Sequence, residues 1–165
     1  MPKKQRRFQE SGLGIANPLL DEINRKLLQL LHADPRLSMS ELARRVEMSA
    51  PAVTERVQRL EEAGVIAGYR LDVDPRALGL PMAAFVRIRP MPGQLTKVAD
   101  LAQRTPEVVE CHRITGEDCF LLKVQVADVK ALEKTLDRFL MFAQTTTSII
   151  QSSPVPPRAL PLSMG

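Results

Sequence analysis

At 165 residues with an ordinary apolar share of 44%, the chain can bury the core of one ordinary domain or of two small ones. Two cysteines, no secretory apolar segment and no long apolar run argue against a disulfide-stapled secreted protein or a membrane span; the expected setting is soluble, reducing and cytoplasmic. The net charge of +4 is unevenly divided, with +3 over residues 1–17, −2 over 18–75 and +3 over 76–165.

Residues 1–18 form a basic polar tail without periodicity, expected to be disordered. Its Lys3, Lys4, Arg6 and Arg7 suit either contact with DNA phosphates or simple solubilisation. A helix is expected from Leu20 to Ala33, capped by Asp21, with Ile23, Leu27, Leu30 and Leu31 on its inner face and Asp34-Pro35 as its stop. Ser38 and Glu41 have the spacing of a capping box, which opens a short second helix carrying Leu42, Ala43 and Val46 on one face. Glu47-Met48 is a turn. Ser49 is placed to cap a third helix, with Pro51 in its first turn and Val53, Val57 and Leu60 as its buried stripe. Gly64 suits the left-handed position past the helix end.

Two helices across so short a turn make a helix-turn-helix, whose second member normally enters the DNA major groove. The alternative is an αα-hairpin buried in an ordinary helical domain. The outer face of the third helix favours DNA: Ser49, Pro51, Thr54, Glu55, Gln58 and Arg59 are short or polar and leave no second apolar stripe. This module is not basic overall. DNA binding therefore requires Arg44, Arg45, Arg56, Arg59 and Arg70 to sort to one side, with Glu61, Glu62, Asp72 and Asp74 away from the phosphates. Val65 to Val73 is a run of β-formers that suits a wing strand, and Asp74-Pro75 closes it.

The period then changes. MAAFVRIRP alternates, with Ala84, Val86 and Ile88 on one face and Phe85, Arg87 and Arg89 on the other. After a turn at Pro90 to Gly93, a helix is expected through Leu95, Val98, Leu101 and Ala102, stopped by Thr105-Pro106. A strand over Val108–Thr115, a tight turn at Gly116-Glu117 and a strand over Cys119–Ala127 follow. Asp128 caps a helix carrying Val129, Leu132, Leu136 and Phe139, and TTTSIIQS is the last strand before a Pro-rich tail.

Two similar halves back to back make a ferredoxin-like βαββαβ unit, an antiparallel four-stranded sheet with both helices on one face. Pairing across the turn sends Cys111, Phe120, Leu122 and Val124 toward the helices, and Glu110, His112, Ile114, Leu121 and Lys123 to the opposite face. Cys111 is read as core packing, on the face opposite Cys119. The second sheet face is too apolar for free solvent, so burial against a second copy is expected, with Arg87 facing Glu110 there.

Only His32 and His112 are available as histidines. No metal-ligand spacing, phosphate loop or paired-carboxylate arrangement stands out, so neither an enzyme nor a resident cofactor or metal is expected. The turn at Gly116, Glu117 and Asp118 offers backbone N–H groups beside carboxylates. It suits either a zwitterionic ligand or a plain polar hairpin.

Over residues 19–155 these features resemble the Lrp/AsnC (leucine-responsive, feast/famine) family of transcription regulators. The resemblance runs through LDEINRKLLQLLHADPRLSMSELARRVEMSAPAVTERVQRLEEAGVIAGYRLDVDPRALG, then RITGEDCFLLKV, then TTTSII. It implies an α+β protein: a winged helix-turn-helix domain (19–75), a linker (76–81), a ferredoxin-like ligand-binding and oligomerisation domain (82–153) and a tail (154–165). It also implies assembly through homodimers to tetramers or octamers, with double-stranded DNA and an amino acid or similar effector as partners. Carried over by position, Ser38, Ser49, Pro51, Thr54, Arg56 and Arg59 are the DNA-contact candidates. Gly116, Glu117, Asp118, Thr145, Thr146 and Thr147 match the effector region. Asn24 stands where the family usually has a second Asp, and Cys119 where its effector turn often has Asp, with Asp118 one place early. Two other functions suit the same scaffold, an architectural DNA-coating protein and a sirohaem-decarboxylase-like enzyme.

Overall fold

A computed structural model describes residues 18–158; Lys3, Lys4, Arg6 and Arg7 and the end of the Pro-rich tail lie outside the described residues. The chain divides into two compact units, with the break between Arg70 and Leu71, a few residues before the expected boundary at 75.

In the first unit Asp21 is an extended N-cap whose carboxylate accepts the Asn24 N–H at 2.7 Å, so α1 runs over Glu22–Ala33 and starts two residues later than expected. The capping box forms in full ahead of α2 (Met39–Arg45). The Glu41 N–H donates to Ser38 Oγ at 3.2 Å, and the Ser38 N–H donates to Glu41 Oε2 at 2.9 Å. Glu47 takes a left-handed φ of 57° to turn the chain into α3 (Ala50–Glu62). Few residues other than glycine, asparagine and aspartate adopt that region readily, so the tightness of the turn is imposed by the helices on either side. Past α3, Gly64 has φ 75°; its N–H donates to the Glu61 carbonyl and that of Ile66 to the Leu60 carbonyl, both at 3.0 Å. Leu27, Leu31, Leu42, Ala43, Val46, Val53, Val57 and Leu60 are buried, as their periodicity predicts, while Ile23 packs at the edge of this core.

The expected wing strand is a correction. Val65 to Val73 forms no strand in the single chain, and Tyr69, Leu71 and Val73 are exposed, Leu71 by 85%. β-forming side chains do not make a strand without a ladder to join, and no second extended segment of this unit lies alongside among the described residues. The Tyr69 hydroxyl donates to Glu61 at 2.9 Å and ties the segment to the end of α3. Burial, then this bond, raises the tyrosine pKa above its ordinary value.

The second unit begins with exposed chain and a 3-10 turn at Pro75–Leu78, capped by Asp74, which overlaps the start of the segment expected to be a linker (76–81). Then come β1 (Met82–Pro90), α4 (Leu95–Arg104), β2 (Val108–Arg113), β3 (Phe120–Val126), α5 (Val129–Leu140) and β4 (Ala143–Ile149). The sheet order is β2-β3-β1-β4 with every pair antiparallel, the ferredoxin-like arrangement. Ala84, Val86, Ile88, Phe120, Leu122, Val124 and Val126 face Val98, Ala102, Leu132 and Phe139, so both helices cover one side of the sheet.

Four details differ from expectation. The two-residue turn is a loop over residues 114–119, closed by the Ile114 N–H on the Cys119 carbonyl at 3.0 Å. Cys111 pairs with Leu122 and so lies on the expected face, but β2 is an edge strand and the residue is exposed rather than core. Enough protein surrounds its sulfur that desolvation raises the thiol pKa. In α5 Val129 is exposed, and Thr135 is buried in the stripe with Leu132 and Phe139. Glu110 pairs with Lys123 at 3.3 Å rather than with Arg87.

Candidate functional site

The first candidate site is the outer face of α3. With about 100° of rotation per residue, Pro51, Glu55, Gln58 and Glu62 lie opposite the buried Val53, Val57 and Leu60, and all four are exposed. Thr54 and Arg59 flank them. Glu62 was expected to turn away from DNA; the helical rotation puts it on this face instead.

The six DNA-contact candidates divide by how each side chain is held. Ser38 is committed to the capping box: its hydroxyl accepts from the Glu41 N–H and donates to the Glu41 carboxylate at 2.8 Å. These bonds hold the Glu41 carboxyl below its ordinary pKa, the Ser38 N–H contributing most. Ser49 sits at the N-cap of α3, exposed and without a side-chain capping bond. Thr54 is half-buried, and its hydroxyl donates to the Ala50 carbonyl at 2.8 Å.

Arg56 departs furthest from expectation. Its guanidinium lies 2.7 Å from the Asp21 carboxylate and donates to Asn24 Oδ1 at 3.1 Å, so it locks α3 to the start of α1. Asn24 is buried and donates its own side-chain N–H to the Leu19 carbonyl at 2.7 Å. An amide both accepts and donates there, which a carboxylate does not. The arginine, and after it the Asn24 N–H, lowers the Asp21 pKa. Arg59 is the outward arginine, 66% exposed and 2.6 Å from Glu55, itself 64% exposed. A hollow of about 480 Å³ opens here, lined by Asp21, Asn24, Ala52, Glu55, Arg56 and Arg59 among others.

The second candidate site is the open face of the sheet. Gly116 has φ 107°, which admits the turn. Glu117 lies 2.6 Å from Arg89, and Asp118 lies 3.4 Å from Arg89 and 3.8 Å from Arg87. Both acids are therefore answered by arginines of β1, a partnership hidden in the alternation of that strand. Thr146 pairs with Arg87 and joins them on this face. Thr145 and Thr147 pair with Ile88 and Val86 and point toward the helices, half-buried. The threonine run thus splits between the two sides of the sheet. Among the described residues no group of three or more His, Cys, Asp or Glu is arranged to hold a metal ion.

Comparison with known proteins covers both units. A winged helix-turn-helix DNA-binding family matches residues 20–67, and the Lrp/AsnC ligand binding domain matches residues 83–160. The HTH-type transcriptional regulator LrpC of Bacillus subtilis is 37% identical over 133 residues, spanning 81% of this chain and 92% of that protein. Its solved structure superposes with a TM-score of 0.77 at 36% identity, covering 81% of this chain and 96% of that one. LrpA of Mycobacterium tuberculosis is 40% identical over 132 residues, 79% of this chain and 88% of that protein. A transcriptional regulator of Neisseria meningitidis, solved as a complex with L-Met, gives a TM-score of 0.78 at 28% identity over 87% of this chain and 97% of that one. With both units matched and most of each relative's length covered, the chain belongs to the Lrp/AsnC family of DNA-binding transcriptional regulators.

Proposed function

We propose that the protein is a sequence-specific transcription regulator that reads the major groove through α3, acts as a homodimer or larger assembly, and responds to an amino-acid-like effector at the open sheet face. The observation that carries the DNA reading is the exposed polar face of α3, set on a fully formed capping box and turn and framed by exposed Arg44, Arg45 and Arg59. The acidic Glu55 and Glu62 on that same face disfavour indiscriminate attraction to phosphates, which weighs against an architectural coating protein. The relatives' names, all of them regulators, support a regulatory rather than an enzymatic role.

The effector reading rests on Arg87, Arg89, Glu117 and Asp118, which gather two cations and two anions beside Thr146. Such a cluster exchanges internal pairs for the carboxylate and ammonium of a zwitterion. The regulator solved with L-Met makes methionine the first compound to test.

Footprinting on the DNA upstream of its own gene tests the DNA reading. Defined half-sites about one helical turn apart, roughly 34 Å, are expected. Uniform protection, or binding no tighter than to random duplex, overturns it. A thermal-shift series with the amino acids tests the effector: a ligand at a hundredfold over its Kd adds about 2.7 kcal/mol of stability. No shift with any of them overturns the amino-acid reading and leaves the DNA reading standing.

A further inference from the structure

An acidic side chain occupies the centre of the helix face that meets DNA. Glu55 lies opposite the buried stripe, in the N-terminal half of α3, with its carboxylate 2.6 Å from the Arg59 guanidinium one turn on. Both side chains are about two-thirds exposed, at 64% and 66%. An exposed pair of this kind is weak, so a DNA phosphate competes with Glu55 for Arg59. Loss of the arginine leaves Glu55 a bare anion facing the groove. Its oxygens only accept, and most base edges there offer acceptors: guanine N7 and O6, thymine O4 and adenine N7. Adenine's one donor stands next to that N7 lone pair. Cytosine alone presents a donor, its N4 amino group, with no acceptor of its own beside it.

We propose that Glu55 is the specificity-determining residue of α3: it accepts a hydrogen bond from a cytosine N4 amino group at the cognate site, and on other sequences it holds Arg59 back from the phosphates. The proposal rests on the DNA reading of α3 and deepens it. The two contacts are coupled. Where cytosine satisfies Glu55, Arg59 moves to a phosphate at little cost. Elsewhere the same movement leaves a carboxylate unpaired in the most negative surroundings the protein meets, so Arg59 stays with Glu55 and binding is weaker.

The test enriches sites from a random duplex pool with the full chain and with its E55Q variant, then titrates both proteins on the enriched site and on random DNA at several salt concentrations. Glu55 is on the surface, so the variant folds, and circular dichroism checks this. Wild-type protein is expected to enrich a site with a cytosine at one fixed position of each half-site. Changing that cytosine to thymine weakens binding about five- to 150-fold. E55Q is expected to lose the preference, to bind random DNA more tightly, and to steepen the log–log salt dependence by about 0.9, one phosphate contact. In an R59Q background, adding E55Q leaves the slope where it was.

If E55Q enriches the same cytosine as wild type, or leaves affinity for random DNA and the salt slope unchanged, the assignment of Glu55 is overturned while sequence-specific binding stands. Wild-type protein that enriches no site overturns both together.

Discussion

Two arginines one helical turn apart on α3 have different duties, and the difference is measurable. Arg56 supplies the Asn24 amide oxygen and the Asp21 carboxylate with their donor, and Asn24 is buried. Arg56→Ala leaves that amide oxygen without its partner, at a cost of about 1–3 kcal/mol. Urea unfolding is expected to show that loss, with the salt slope of DNA binding nearly unchanged. Arg59→Ala is expected to do the reverse. Stability moves by no more than about 0.5 kcal/mol, while affinity for the cognate site falls and the slope measured on that site flattens by about one phosphate. If Arg56→Ala flattens the slope as much as Arg59→Ala does, Arg56 contacts DNA after all. Acid titration isolates the third member of the cluster. The Asp21 carboxyl is more acidic folded than unfolded, because Arg56 and then the Asn24 N–H stabilise its charge. Its contribution is therefore complete above the unfolded value of about 3.9 and is lost as pH falls through the folded one. Asparagine keeps the helix cap but not the charge. Asp21→Asn is thus expected to lower stability at pH 7 by at most about 1 kcal/mol, the pair being half-exposed, and to match wild type once pH has fallen below the folded value. A difference that persists undiminished into acid assigns the effect to something other than this ionisation.

At the level of elements, stability of the first unit rests on its helix starts. Ser38→Ala removes the hydroxyl that takes the Glu41 N–H. The expected loss is about 1 kcal/mol, or roughly 4–8 °C in the melting temperature of so small a unit, measured by calorimetry or thermal circular dichroism. An unchanged melting temperature means that α2 is held by packing of Leu42 and Ala43 alone. That box was legible in the sequence because it lies within four residues, as were the Asp128 cap, the Gly64 stop and the alternation of Met82–Pro90. What escaped was whatever depends on a partner distant in the chain. Val65 to Val73 has the composition of a strand, yet a ladder requires a second segment that composition does not reveal. Cys111 was placed on the right face by register, but its exposure follows from β2 being an edge strand, a matter of sheet order. The same limit hid the roles of individual site residues. Arg56 reaches Asp21 across 35 positions, and Asp118 reaches Arg89 across 29. Neither separation leaves a periodic trace, so the outer face of α3 was readable as a surface while the pairings on it were not.

For the whole molecule the governing question is what covers the second side of the sheet. The helices cover the centre of one side. On the other, Phe85 is 41% exposed and shares its face with Leu121, beside Arg87 and Lys123 and the charged loop at Glu117 and Asp118. Apolar side chains interleaved with charges of both signs suit a self-complementary contact, and in the proposed homodimer a second copy supplies the same pattern reversed about a two-fold axis. A dimer so formed carries two α3 helices, and engaging a second half-site becomes an intramolecular step that raises apparent affinity by about 10²–10⁴ without a new type of contact. Phe85→Arg is expected to break this assembly by replacing an apolar contact with an added positive charge on each copy. In sedimentation equilibrium the variant moves to the monomer mass. Its far-ultraviolet circular dichroism stays at the wild-type level, because Phe85 lies outside the buried core. Its affinity for a two-half-site operator falls at least about a hundredfold, toward that for a single half-site. A variant that remains a dimer with full affinity places the self-contact on another surface, the exposed Tyr69–Leu71–Val73 segment being the next to change, with Leu71→Lys. A monomeric variant with undiminished affinity removes the premise itself, that two copies of α3 act on one stretch of DNA.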